Sequence, residues 1–338
     1  MTLNARWRFA IGIVLATGQL SLGACARAAT PEANATDGSP KTATAPKVAD
    51  KSPSLTVEAV SSTDDPTLGQ DWVRLLHDEN GKPIGMQTAI VRYTKATKAG
   101  QSSKGDVEVD LIGAVHIGDV SYYEELNGYF EQYDALLYEL VAPEGTIVER
   151  GRGTSSAHPI GFMQNGIKTL LELDHQLEEI DYTRPNFVHA DMTPDQFVQA
   201  MKDRNESFLQ MYFRLLGQAM AHQSEMNAKG ESLDFELFSA LFAKDRPRRL
   251  KTALAKQLAE MESLMVSFGG EQGSVIITER NKMALKVLKE QLAAGKQRLG
   301  IFYGAGHLND MDARLRNEFG LKPASITWVT AWNLTAGK

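Results

Sequence analysis

Val107-Glu-Val-Asp-Leu-Ile-Gly113-Ala-Val-His116 opens a strand-helix-strand unit that closes on Asp134-Ala-Leu-Leu-Tyr-Glu139-Leu140. Both ends are short apolar runs of strand length, and the polar stretch between them predicts a helix from Ser121 to about Gln132. Ser121-x-x-Glu124 has the form of a capping box for that helix. A crossover of this kind joins parallel strands, so both strands end on the same edge of the sheet. His116 lies just beyond the end of the first strand and Glu139 near the end of the second. A carboxylate in an otherwise apolar strand is costly to bury without a partner, which gives two readings of Glu139. Either it meets His116 at the sheet rim, or it faces water on a terminal turn.

The motif Gly113-Ala-Val-His116 returns as Gly304-Ala-Gly-His307, again after a short apolar run, Leu299 to Tyr303. Placed in the same sheet with parallel sense, the second strand brings His307 to the same rim. Side chains converge on ligands at the carboxyl ends of strands in open α/β sheets. Two imidazoles and one carboxylate suit a divalent transition metal with a position left open for water. The competing reading makes both histidines structural, each hydrogen-bonded at its own strand end.

Outward from these motifs the elements alternate. Strands at Met86 to Tyr93 and Val107 to Gly113 flank a polar loop at Lys95 to Gly105 and predict a hairpin. A strand at Asn186 to Ala190 leads to a marked helix start, Thr193-Pro194-Asp195-Gln196, with proline at the first helical position and glutamine three residues after the cap. The helical pattern from Phe208 to Met265 is long for a crossover and reads as a lid. A helix from Ser274 to Ala294, stopped by Gly295, precedes the second histidine motif, a helix to about Gly320 and a last strand, Ser325 to Trp332. The predicted fold class is α/β, a mixed sheet built from two α/β halves with a helical insertion at about 194–268.

In the helix after Ser274, Ile276, Met283 and Val287 form one apolar stripe that runs through Arg280. Ile277, Ala284, Leu288 and Leu292 form another through Asn281. Both polar residues therefore sit on an inward face. Arg280 has the planar fork to clamp a carboxylate, either a substrate's or that of Glu139, unless it snorkels outward from the first turns. His189 and Asp191, at a strand-to-helix junction, are further candidates for the site, with Asp191 alternatively serving the helix start.

The ends of the chain bear on location. Residues 1–24 read as an export signal, with Arg6 and Arg8 before an apolar run from Phe9 to Leu22 that is too short to span a bilayer. Cys25, the only cysteine, follows Leu22-Gly23-Ala24 and resembles the acylated cysteine of bacterial lipoproteins; ordinary cleavage after Ala26 or Ala28 is the alternative. Residues 25–66, rich in Ala, Thr, Pro and Ser, read as a disordered tether whose 40 or so residues reach roughly 35 Å. Residues 67–338 then form the globular part. Loss of Arg6 and Arg8 moves the formal net charge from −6 to −8, which argues against a nucleic-acid partner. The local exception, Arg246-Pro-Arg-Arg-Leu-Lys251, reads as a solvated helix start, with an anionic-lipid contact as the alternative. The chain lacks a Walker phosphate loop, a nucleophile-elbow serine, a His-Glu-x-x-His signature and a catalytic cysteine.

Taken together, Gly113-Ala-Val-His116-Ile-Gly118, Leu136-Leu-Tyr-Glu139, Glu279-Arg280-Asn281 and Tyr303-Gly304-Ala-Gly-His307-Leu308 resemble the motifs of the TraB/GumN family, which is related to the Tiki proteins. The resemblance spans about residues 86 to 332. It implies an α/β domain whose two histidines, glutamate and arginine form the active site. Tiki-like members are manganese- or cobalt-dependent peptidases, and pheromone-shutdown members limit a peptide signal. The expectation is a lipid-anchored, metal-dependent hydrolase at the periplasmic face of the outer membrane, acting on a peptide or a small amide or ester. In it His116, His307 and Glu139 hold Mn²⁺, Co²⁺ or Zn²⁺, Glu139 alternatively acts as general base, and Arg280 orients substrate or stabilises negative charge. The rival expectation is a binding lipoprotein that sequesters a peptide, or a haem between the paired histidines.

Overall fold

Neighbouring apolar residues along a strand point to opposite faces, and in Leu111-Ile112, Leu136-Leu137 and Ile301-Phe302 each member of the pair finds a separate core. That pattern needs helices on both faces of one sheet. The computed structural model describes residues 68–95, 107–148, 173–207, 245–266 and 274–335, with positions 150, 171, 240 and 243. The predicted signal segment, Cys25, the tether and most of the helical insertion, 208–239, lie outside the described residues.

The strands are β1 (Val73–His77), β2 (Pro83–Lys95), β3 (Glu108–Ala114), β4 (Ile117–Gly118), β5 (Ala135–Tyr138), β6 (Asp174–His175), β7 (Phe187–His189), β8 (Arg298–Gly304) and β9 (Leu321–Asn333). The helices are α1 (Val120–Phe130), α2 (Gln176–Glu179), α3 (Pro194–Asp203), α4 (Arg246–Val266), α5 (Arg280–Ala293) and α6 (Ala305–Phe319). Seven strands form one mixed sheet in the order β1-β2-β3-β8-β5-β7, with β9 on the other edge of β2. The hairpin predicted from β2 and β3 is present and antiparallel. From β3 onward the path β3-β8-β5-β7 is parallel throughout. The two predicted α/β halves are thus interleaved in a single sheet, because β8 from the carboxyl-terminal part slots between β3 and β5. The two Gly-x-x-His strands are consequently direct neighbours, with Gly113 opposite Tyr303 and Ala114 opposite Gly304.

Tyr122, Leu126 and Phe130 of α1, with Leu250 and Leu254 of α4, pack on the face that carries Ile112, Leu136 and Phe302. Ala284 and Leu288 of α5, with Leu308, Met311 and Leu315 of α6, pack on the other, against Leu111, Leu137 and Ile301. The capping box predicted at Thr193 forms in full. The one predicted at Ser121 does not. α1 begins one residue earlier, after Asp119, whose carboxylate is drawn away to Lys251 Nζ at 2.6 Å and to the Asn333 amide at 2.5 Å. No helix among the described residues is long and apolar enough to cross a membrane.

Gly300 shows how tightly β8 is wedged. A Cβ there would stand 2.6 Å from Leu136 Cδ1 and 3.0 Å from the Tyr133 ring. Overpacking of this kind costs about 1–3 kcal/mol, so Gly300→Ala is expected to lower the urea midpoint by a matching amount; an unchanged midpoint would mean β8 is more loosely seated than described.

Candidate functional site

Four adjacent parallel strands end on one rim, and each delivers a polar group just past its last residue. His116 lies two residues beyond β3, Glu139 directly after β5, Asp191 two residues beyond β7, and His307 in the first turn of the helix that follows β8. Backbone bonds continue the ladder to this edge, from the Glu139 amide to the Phe302 carbonyl and from the Ala190 amide to the Tyr138 carbonyl. The convergence therefore follows from the parallel register and not from any loop excursion.

Arg280 enters from the facing helix. Its segment starts at Ser274, whose hydroxyl accepts the Ile277 amide, and runs through a π-helical turn, Val275–Glu279, before α5 proper. Wider turns of this sort recur at functional sites because they re-aim the side chains that follow. Both Arg280 and Asn281 are buried, as their inward stripes predicted. The guanidinium grips Asp191 in a bidentate pair, Nε to Oδ1 at 3.0 Å and Nη2 to Oδ2 at 2.5 Å. Nη2 also reaches Glu139 Oε1 at 2.7 Å, and Nη1 lies 3.4 Å from His307 Nε2. Of the two carboxylates proposed for the clamp, the structure supplies Glu139, with Asp191 as the stronger partner.

Glu139 Oε2 accepts the Gly304 amide at 2.7 Å, at the positive end of α6. Burial alone would push its carboxyl up, but Arg280, His307, His116 and the Gly304 amide together hold it at about 2. His307 moves the other way. Burial pushes its ring down against the pull of Glu139, to about 4, and burial likewise lowers His116. Burial acts to lower Arg280 as well, yet Asp191 and Glu139 keep it raised and charged. Near neutral pH the site holds two carboxylates, one guanidinium and two neutral imidazoles.

The His307 tautomer follows from the amide beside it. His307 Nδ1 lies 2.7 Å from Asn281 Oδ1, while Asn281 Nδ2 donates to the His307 carbonyl at 3.0 Å and to Asp310 Oδ2 at 2.8 Å. Asp310 can only accept, so Asn281 cannot be flipped and the His307 proton sits on Nδ1. His116 Nδ1 faces Gln176 Oε1 at 3.3 Å, with Gln176 Nε2 turned to the Tyr182 hydroxyl at 2.8 Å. His307 therefore keeps its lone pair on Nε2, facing Arg280 Nη1, whereas the Tyr182 hydroxyl can donate or accept and so fixes neither the Gln176 amide nor the His116 tautomer. A methyl added at Gly304 would stand 3.3 Å from Glu139 Oε2, 3.8 Å from His116 Nε2 and 3.9 Å from His307 Cδ2, so all three side chains border one small space that the glycine leaves open.

The structure thus brings His116, Glu139, Arg280, His307, Asp191 and Asn281 together. It does not bring in His189, whose Nε2 lies 2.6 Å from the Leu140 carbonyl while its ring stands edge-on to Tyr138. Gln176 and Asp310 were missed by the sequence reading. Asp310 follows His307 by three residues on a predicted helix, a spacing that could have marked it. Gln176 carries no such signal, since it is 60 residues from its partner. Among the described residues no group of three or more His, Cys, Asp or Glu side chains is spaced to hold a metal ion as it stands. Comparison of the chain with protein-family models, with curated proteins and with solved structures found no match.

The shifts fix an acid sensitivity for the metal-free protein. His307 sits at about 4 against an ordinary 6.5, and Glu139 at about 2 against 4.5. In both cases the unfolded chain binds protons more readily than the folded one, so stability is full above about pH 6.5. It is lost on acidification, first as His307 titrates between 6.5 and 4, then as Glu139 titrates between 4.5 and 2. Urea midpoints should fall steadily from pH 7 to pH 4, and a flat profile there would show that His307 is not buried in its neutral form.

Proposed function

We propose that this chain is a divalent-metal-dependent hydrolase acting on a peptide or a small amide or ester, tethered in the cell envelope through Cys25. The observation that carries the reading is the fixed His307 tautomer, set beside His116 and Glu139 around one small space. Histidine ligands ordinarily donate their second ring proton to a carbonyl or carboxylate, which orients the ring and raises its basicity. Asn281 stands in that position for His307, and the Gln176 amide lies beside His116 Nδ1.

The donor set fits a divalent cation in chemistry. His116 Nε2, the His307 ring through Cδ2 and the ionised Glu139 carboxylate border the space at Gly304, and the carboxylates of Glu139 and Asp191 face one guanidinium. His116 Nε2, His307 Nε2 and Glu139 are the groups that would hold the ion. The 3.4 Å approach of Arg280 to His307 is at the weak limit of hydrogen bonding and leaves that lone pair available. A cation bound there would supply an acidified water and polarise a carbonyl oxygen. Glu139 is held ionised and would accept a proton in the alternative arrangement, in which the two imidazoles hold the ion without it. Arg280, with most of its donors committed to Asp191 and Glu139, acts chiefly to aim Glu139 and has one Nη1 proton left for a developing anion. The space bordered by the three side chains suits an ion better than a porphyrin, which favours this reading over haem binding.

The four motifs that resemble the TraB/GumN family support the same reading. In it the two α/β halves supply one histidine each. The test is hydrolysis of a peptide library by the purified chain with Mn²⁺, Co²⁺ or Zn²⁺, before and after chelation. Cleavage that needs the metal and disappears in both His116→Ala and His307→Ala is expected. Cleavage untouched by chelation would refute the metal, and no cleavage under any of these ions would refute the hydrolase.

A further inference from the structure

A second feature lies apart from that rim. Lys82, Pro83, Arg248, Arg249, Thr252, Ala253, Lys256 and Leu334 line a cavity of about 250 Å³. Three distant parts of the chain converge on it: the β1–β2 turn, the first turns of α4 and the end of β9. Four of the eight residues are cationic and none is acidic, in a chain whose formal net charge is −6. Besides Glu79 on the turn, the acidic neighbour nearest in sequence is Asp245. It pairs with Arg248 and takes Arg249 through Nε alone at 2.8 Å, so the Arg249 Nη groups stay available.

The parts are held in place. Asp78 accepts the amides of Asn80 and Lys82, both at 2.9 Å, which fixes the turn that presents Lys82. The Leu334 amide bonds to the Ile84 carbonyl at 3.0 Å and anchors the chain end as an apolar wall. Thr252 spends its hydroxyl on the Arg248 carbonyl, so the polar contribution of the cavity comes from its cations. On α4, Arg248, Thr252 and Lys256 recur every four residues and form one stripe beside Arg249 and Ala253. Lysine ammonium and arginine fork together, over a floor of Pro83, Ala253 and Leu334, match a phosphate carrying a small apolar group.

We propose that this cavity binds a phosphate-bearing anion, either the headgroup of an anionic lipid or a free phosphate ester of similar size. Lys82 and Arg249 are exposed, so Lys82→Gln with Arg249→Gln should leave the fold intact, and circular dichroism verifies it. The purified full chain is titrated with glycerol 3-phosphate and, separately, with vesicles of phosphatidylcholine alone or mixed with phosphatidylglycerol. Any lipid anchor contributes equally to the chain and the variant and so cancels. Saturable binding of glycerol 3-phosphate, weakened at least about tenfold in the variant, would identify a free phosphate ester. Preference for the phosphatidylglycerol vesicles alone, screened by salt and lost in the variant, would identify the headgroup. Absence of binding in both arms, or equal binding by chain and variant, would overturn the proposal. None of these outcomes depends on hydrolysis or on metal.

Discussion

Arg280→Met is expected to lower the unfolding free energy by about 3–5 kcal/mol, because it strands two buried carboxylates, Asp191 and Glu139, without their counter-ion. Both side chains are almost fully enclosed, and together they lose three hydrogen bonds from the guanidinium. Arg280→Lys keeps the charge but loses the bidentate fork, so it should sit between the methionine variant and the parent. Since Arg280→Met on its own risks failing to fold, the informative comparison is the double variant Arg280→Met with Asp191→Leu. Removing Asp191 together with Arg280 should recover the part of the loss that the stranded Asp191 causes, with Glu139 still unpaired. If the double variant is as unstable as the sum of its single changes, the pair is not the coupled unit described above.

The second large effect concerns chemistry more than stability. Glu139→Gln preserves shape, but with its oxygen kept for Arg280 its NH2 faces the Gly304 amide, a second donor, and the negative charge beside the two imidazoles is gone. Hydrolysis by the folded variant is expected to fall by about 10²–10⁴-fold, the usual contribution of a proton-accepting group, and the urea midpoint falls as well, because the ionised Glu139 stabilises the fold at neutral pH. The rate of cleavage at saturating metal is the measurement. A variant that cleaves as fast as the parent would remove Glu139 from the proposed mechanism.

Much of this rim was legible in the sequence, and the reason is topological. Once β3 and β5 are joined by a helical crossover, parallel sense is nearly forced, and parallel strands end together. That places His116 and Glu139 on one edge without knowledge of any contact. Arg280 and Asn281 were readable because a buried polar residue breaks an apolar stripe at helical period. What stayed hidden depends on long-range pairing. Nothing in the local pattern says that β8 inserts between β3 and β5, since strand order is decided by which faces pack best. Nor does it say that Gln176 meets His116. The misplaced cap at Ser121 has a similar origin: Asp119 begins α1, but its carboxylate serves Lys251 on a distant helix. His189 is the converse case, a plausible residue in a plausible place whose ring nitrogen is taken by the carbonyl of Leu140.

The central claim is that His116, Glu139 and His307 form one cation site, and calorimetric titration of the chelator-treated chain with Mn²⁺, Co²⁺ and Zn²⁺ tests it most directly. One equivalent of at least one of these ions should bind, and binding should vanish in the folded double variant His116→Ala with His307→Ala. No binding by the parent chain, or equal binding by the double variant, would contradict the claim.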